Sequence, residues 1–135
     1  MNVLVDTPVW SPAFRKKNNT ETNPIVDNLI GLVRNAEIKI IGAIRQEVLS
    51  GISDRDKYEE IKSKMSAFTD YVVRTADYEF AAECSNECRR HGIQGSHTDF
   101  LICAVAIKNG WEIFTEDNDY LKYEKYLPIK IYGLR

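Results

Sequence analysis

The 135-residue sequence predicts an α/β fold with a mainly parallel sheet, on three observations. Short apolar runs alternate with segments of helical spacing along the chain, as strands joined by crossover helices do. One segment, Phe100 to Ile107, is apolar without a break and reads as a buried central helix. Hydrophobic residues make up 44% and charged residues 28%, enough to build the core of one ordinary domain, residues 1–135, without metal or disulfide staples.

Val3-Leu4-Val5 reads as a short buried strand ending at Asp6. Thr7-Pro8 opens a helix, proline being suited to a first turn, with Val9, Trp10, Ala13 and Phe14 on its apolar side. Arg15 to Thr22 is polar and reads as a loop. Asn23-Pro24 starts a second helix, in which Ile25, Leu29, Ile30 and Val33 recur at helical spacing. Glu37 to Ile41 is a second strand, followed from Gly42 by a helix through Ile52. Asp54 to Phe68 is a charged helix whose buried stripe is Tyr58, Ile61, Met65 and Phe68. Tyr71 to Val73 gives a third strand, and Asp77 to His91 a helix closed by Gly92. The apolar helix ends at Gly110. Glu112-Ile113-Phe114 is a fourth strand, Asp117 to Tyr123 a short helix, and Ile129 to Tyr132 the last strand.

With 18 Lys plus Arg against 20 Asp plus Glu, the formal net charge is −2, without the basic footprint of a protein that coats nucleic acid. No apolar run approaches the ~18 to 20 residues of a membrane span, and the chain opens directly on a strand, so a cytoplasmic protein is expected. Cys84, Cys88 and Cys103 are odd in number and lack CxxC spacing, which fits a reducing compartment better than a disulfide framework. Cys84, Cys88 and His91 fall at i, i+4 and i+7 of one helix. Phe80 and Ala81 share that face, however, and a closed zinc site needs four ligands, so core packing is the expected role.

The acids at the ends of elements carry more information. Asp6 ends the first strand in VLVD, and Asp117 follows the fourth in IFTED. Ligands bind beyond the carboxyl ends of parallel strands, so these two acids converge if their strands are neighbours. Helix capping is the plainer role for each acid taken alone: Asp6 before Pro8, Asp117 before Tyr120, and Asp99 within Ser96-His97-Thr98-Asp99, which matches a capping box. Glu47 lies one step off the face formed by Ile44, Val48, Leu49 and Ile52. A carboxylate there is costly unless it reaches outward to solvent or a partner, such as Arg45 or Lys62, meets it. Gathered together, the four acids would repel one another strongly without a cation, and their oxygens suit Mg²⁺ or Mn²⁺.

The blocks VLVDTPVW, IIGAIRQEVLSGI and HTDFLICAVAIKNGWEIFTEDNDY, in this order, resemble the PIN domain, most closely the VapC-type ribonuclease toxins of toxin–antitoxin modules. The resemblance implies a single α/β/α sandwich with a central parallel sheet in which the first and fourth strands are adjacent. It further implies a Mg²⁺- or Mn²⁺-dependent endoribonuclease acting on single-stranded or loop RNA, with Asp6, Glu47, Asp99 and Asp117 as its core acids. Asp119 matches a more variable accessory acid and Thr115 a hydroxyl beside the site; Thr7, adjoining Asp6, is a second accessory candidate. In this reading Asp6, Asp99 and Asp117 hold one or two ions, while Glu47 positions a water or completes a second ion's shell. Hydrolysis would leave a 5′-phosphate and a 3′-hydroxyl.

No histidine is required, although His97, two residues from Asp99, is a candidate for an outer role. Arg15-Lys16-Lys17 and Arg89-Arg90 read as solvated helix ends. Lys122 and Lys125, interleaved with Tyr120 and Tyr123, are candidates to meet phosphate and stack bases. The resemblance also implies a homodimer and a cognate antitoxin bound in a groove near the site. A catalytically silent module binding RNA or protein, and a metal-dependent DNase, are the alternatives. A dehalogenase-type phosphatase would want DxD where this chain has Asp6-Thr7-Pro8, and a phospho-acceptor domain would want a lysine after the last strand. Setting the four acids aside leaves 16 acids (20 less those four) against 18 bases, so the acidity is concentrated in the proposed site.

Overall fold

Val3, Leu4 and Val5 are wholly buried, a state that a strand reaches only in the middle of a sheet covered on both faces. The computed structural model describes residues 1–15 and 23–133 and places this strand, β1 (Val3–Val5), at the centre of five. The others are β2 (Ile38–Ile41), β3 (Asp70–Tyr71), β4 (Glu112–Phe114) and β5 (Lys130–Ile131), in the order β3-β2-β1-β4-β5 with every pairing parallel. The helices are α1 (Thr7–Arg15), α2 (Pro24–Arg34), α3 (Gly42–Ser50), α4 (Arg55–Met65), α5 (Thr75–Arg90), α6 (His97–Asn109) and α7 (Asp119–Tyr123). They form two groups, α1 packing on α2 and α3 with α4 against α3, and α5 packing on α6, which in turn rests on β4. The expected α/β sandwich is therefore the observed architecture. The side chains of Arg15-Lys16-Lys17 lie outside the described residues.

Local chemistry sets most element ends. The Asn23 side chain caps α2 and Asp54 caps α4, each accepting a backbone N–H of the first turn. Gly110 ends α6 in the left-handed region at φ 70°, where a side chain would be strained. From Phe100 to Ala106 every residue of α6 is buried, as its unbroken apolar run required. Trp10 is also core: its ring meets Phe68 edge-on at 5.1 Å, and its Nε1 donates to the Val5 carbonyl at 3.0 Å.

Several element ends shift by one to three residues from expectation, α5 starting at Thr75 rather than Asp77 and α7 at Asp119 rather than Asp117 among them. β3 covers Asp70 and Tyr71 rather than Tyr71 to Val73, because its partner β2 gives way to α3 at Gly42, leaving Val72 exposed with no strand to pair. Ser96 does accept the Asp99 N–H at 3.0 Å, but the Asp99 carboxylate turns to other donors, so only half of the expected capping box forms. The three cysteines are free and buried, and burial raises their thiols, that of Cys84 to about 11. His91 is exposed and stacked on Tyr126, which separates it from them. Among the described residues no helix is long and apolar enough to cross a membrane.

Asp77 is fully buried and joins β3, α5 and α6. Its carboxylate accepts the Arg74 N–H at 2.9 Å, the Tyr71 hydroxyl at 3.1 Å and the Lys108 ammonium at 3.0 Å. Burial pushes this carboxyl up, but the three donors and the lysine's charge together hold it below the usual value. Asp77→Ala would leave buried donors unmet, and denaturant melts are expected to show a loss of about 2–4 kcal/mol.

Candidate functional site

β1 and β4 lie side by side with Val5 opposite Phe114, and the Asp6 N–H extends that ladder to the Phe114 carbonyl at 2.8 Å. From β1 the chain order runs to β2 on one side and to β4 on the other, so the carboxyl ends of β1 and β4 flank the point where strand order reverses. Asp6 and the Thr115–Asp119 loop emerge there together.

Asp6 is 4% exposed. Its Oδ1 accepts the Thr7 N–H and its Oδ2 the Thr115 hydroxyl, both at 2.8 Å. The Thr115 oxygen in turn accepts the Asp117 N–H at 3.0 Å, and the Asp117 Oδ1 accepts the Asp119 N–H at 2.9 Å. Thr115 thus ties the first acid to the backbone of the second. Spending its side chain on the Asp119 N–H, Asp117 precedes α7 by two residues instead of opening it.

On α6, Asp99 reaches the same place. Its Oδ2 accepts the Tyr123 hydroxyl at 2.7 Å, and its Oδ1 lies 3.4 Å from the Tyr120 hydroxyl. One carboxylate oxygen each from Asp99, Asp117 and Asp119 falls within 4.8 Å of the others. Asp6 and Glu47 stand outside that group. Burial is the main reason that the Asp6 carboxyl is raised to about 6; the bonds from Thr115 and Thr7 pull it down, and the charges of Asp99 and Asp117 push it further up.

Of the alternatives open for Glu47, the outward one holds. It is exposed, and its Oε1 accepts the Thr7 hydroxyl at 3.0 Å. Arg45, one of its expected partners, is committed elsewhere: it binds Asp70 at 2.8 Å together with the Met65 and Phe68 carbonyls. Thr7 therefore bridges Asp6 through its N–H and Glu47 through its hydroxyl. Tyr120 and Tyr123 are wholly buried and cannot stack on bases, which corrects that expectation. Burial first, then the neighbouring carboxylates, raises both phenols, so they remain protonated donors. Lys122 sits 3.5 Å from Asp119, while Lys125 and His97 are exposed.

The donor set fits a hard divalent cation. Every ligand atom in the 4.8 Å group is a carboxylate oxygen, with no thiolate or imidazole among them. The sequence marked the tyrosine pair only as base-stacking candidates, not as partners of Asp99, and did not mark Gly95, where an added Cβ would run into the Tyr123 hydroxyl. The available signal was a pair of tyrosines at i, i+3 immediately beyond the acidic loop.

A family model for the PIN domain matches residues 3–126. No curated protein matches the sequence. Among solved structures, VapBC2 from Rickettsia felis bound to a promoter DNA fragment aligns with TM-score 0.78 at 16% identity, covering 100% of each chain. FitAcB from Neisseria gonorrhoeae gives TM-score 0.70 at 16% identity over 97% of this chain and 96% of that one. A toxin–antitoxin complex from Klebsiella pneumoniae gives 0.58 at 18% identity over 87% and 88%.

The raised Asp6 carboxyl has a signed consequence for stability. The folded chain keeps this proton up to about pH 6, whereas the unfolded chain releases it near 3.8, so its stabilising contribution is complete below 3.8 and is lost as pH rises through 6. In EDTA at pH 7, Asp6→Asn is expected to melt higher than wild type, by an increment on the order of 3 kcal/mol at most. That difference should close by about pH 4 in melting curves recorded across the range.

Proposed function

The chain belongs to the PIN domain family, and from that premise we propose that it is a divalent-metal-dependent endoribonuclease, the toxin of a type II toxin–antitoxin module. The observation that carries the reading is the approach of Asp99, Asp117 and Asp119 within 4.8 Å at the end of the sheet where Asp6 is buried. Three like charges so close favour a cation strongly.

Asp99, Asp117 and Asp119 would hold the ion, with Asp6 binding directly or through water. Once bound, Mg²⁺ or Mn²⁺ supplies charge neutralisation at the scissile phosphate and a water of lowered pKa. Thr115 and Thr7 fix the Asp6 carboxylate by donating to both of its oxygens. Glu47, exposed at the rim, would orient a water or serve a second ion. Cleavage would leave a 5′-phosphate and a 3′-hydroxyl.

The antitoxin is the expected protein partner, because the structural neighbours come from toxin–antitoxin complexes. An open groove between α1, α3 and α4, lined by Phe14, Val48, Gly51, Ile52 and Lys57, has Glu47 on its wall and suits a peptide that brings a basic side chain to the acids. A homodimer and a cytoplasmic location complete the proposal.

The test uses wild type, Asp6→Asn, Asp99→Asn and Asp117→Asn on single-stranded RNA, structured RNA and single-stranded DNA, with Mg²⁺, Mn²⁺ or EDTA. RNA cleavage is expected only with metal, and each substitution should lower kcat/KM by about 100-fold or more. Cleavage persisting in EDTA would refute metal dependence. Equal cleavage of DNA would make the enzyme a general nuclease, and no cleavage of any substrate would favour the silent binding module.

A further inference from the structure

The Asp99 carboxylate stands on the first turn of α6, with carboxylate oxygens of Asp117 and Asp119 within 4.8 Å of one of its own, where like charges repel. Among the described residues no lysine or arginine pairs with it. What meets it instead are two neutral donors on α7, the Tyr123 hydroxyl at 2.7 Å and the Tyr120 hydroxyl at 3.4 Å. Both rings are wholly buried, and they are locked by ring contacts of 5.2 Å to one another and of 5.0 Å between Tyr123 and Phe100. Such phenols cannot swing away as a surface side chain would.

We propose that Tyr123, assisted by Tyr120, is a positioning residue that aims the Asp99 carboxylate at the divalent ion, and that residue 95 is glycine in order to admit the Tyr123 hydroxyl. The proposal rests on the metal-dependent reading above.

Neutral donors suit this task in a way that a cation does not. A lysine bonded to Asp99 would compete with the ion for the same charge. A carboxylate offers about four lone-pair sites, and two phenols engage only two of them, leaving the others for the ion. The arrangement is also economical in chain: α7 carries one candidate ligand, Asp119, and both donors that hold another, Asp99.

Gly95 supplies an independent observation. Its backbone does not lie in the left-handed region, so conformation does not require glycine there; space does. A Cβ at this position would collide with the Tyr123 hydroxyl, stand 2.8 Å from its Cζ and lie 3.0 Å from the Phe100 ring. The chain leaves room for an oxygen whose hydrogen-bond acceptor is Asp99.

Tyr123→Phe removes the oxygen while keeping the ring, and Gly95→Ala displaces the hydroxyl without altering either partner. Calorimetric titration of the metal-free full chain with MnCl₂ is expected to show affinity weakened by about 10–100-fold in both variants, and by less in Tyr120→Phe, whose bond is longer. Excess Mn²⁺ should restore much of kcat for RNA with KM unchanged. Melting curves with and without Mn²⁺ separate this role from a packing role: a merely structural tyrosine would lower the metal-free melting temperature and leave the Mn²⁺-induced rise intact. Wild-type binding with both variants within about twofold would overturn the positioning role alone. Absence of Mn²⁺ binding by wild type would overturn the metal reading, and this proposal with it.

Discussion

The acidic end of this molecule depends on the parallel pairing of β1 with β4. With Val5 opposite Phe114, the two strands end level, and the Asp6 N–H continues the ladder for one more bond. That bond fixes the direction in which the chain leaves each strand. Without it, Asp6 and the Thr115–Asp119 loop would have no shared frame, and α7 would not bring its tyrosines over α6. The pairing is itself enforced from behind by side chains with no exposure at all: Val3, Leu4, Val5 and Ile113. Apolar burial positions the polar chemistry.

Repulsion among the carboxylates is the cost of that convergence, and the structure meets it with neutral donors. Thr115 and the Thr7 N–H serve Asp6, the Asp119 N–H serves Asp117, and the tyrosine pair serves Asp99. Hydrogen bonds of this kind stabilise a carboxylate without cancelling its charge. For Asp6 they fall short of desolvation, which leaves its carboxyl raised. Glu47 escapes the problem by standing in solvent, linked to Asp6 through Thr7.

Most of the fold was legible because its signals are local. The run from Phe100 to Ala106, the proline at the start of α2 and the glycine after α6 each act through the chain immediately around them. The length of β3 was not legible, since it is set by where β2 stops. In the site, the positions of Asp6 and Asp117 at strand ends could be read directly, whereas their approach depended on strand order. Glu47 could be read only as standing at the core boundary or reaching outward, because helical projection does not give the breadth of the apolar face. Ile44 and Val48 are buried, but Leu49 and Ile52 are only partly so, and the narrower face leaves Glu47 at the rim. In one dimension the tyrosines, interleaved with lysines, read as candidates to stack on bases. Only three-dimensional packing turns their hydroxyls inward.

The seamless burial of α6 bears on how such a chain can change over generations. Residues 100 to 106 are all buried, so exchanges among them are constrained chiefly by volume and shape. Asp99, one residue earlier, answers to charge and hydrogen bonding. Two kinds of selection therefore act on adjacent positions of a single helix. The apolar segment is free to drift through compensating repacking while the acid at its head keeps its place, so that descendants could lose nearly all resemblance along this helix and still present the same carboxylate.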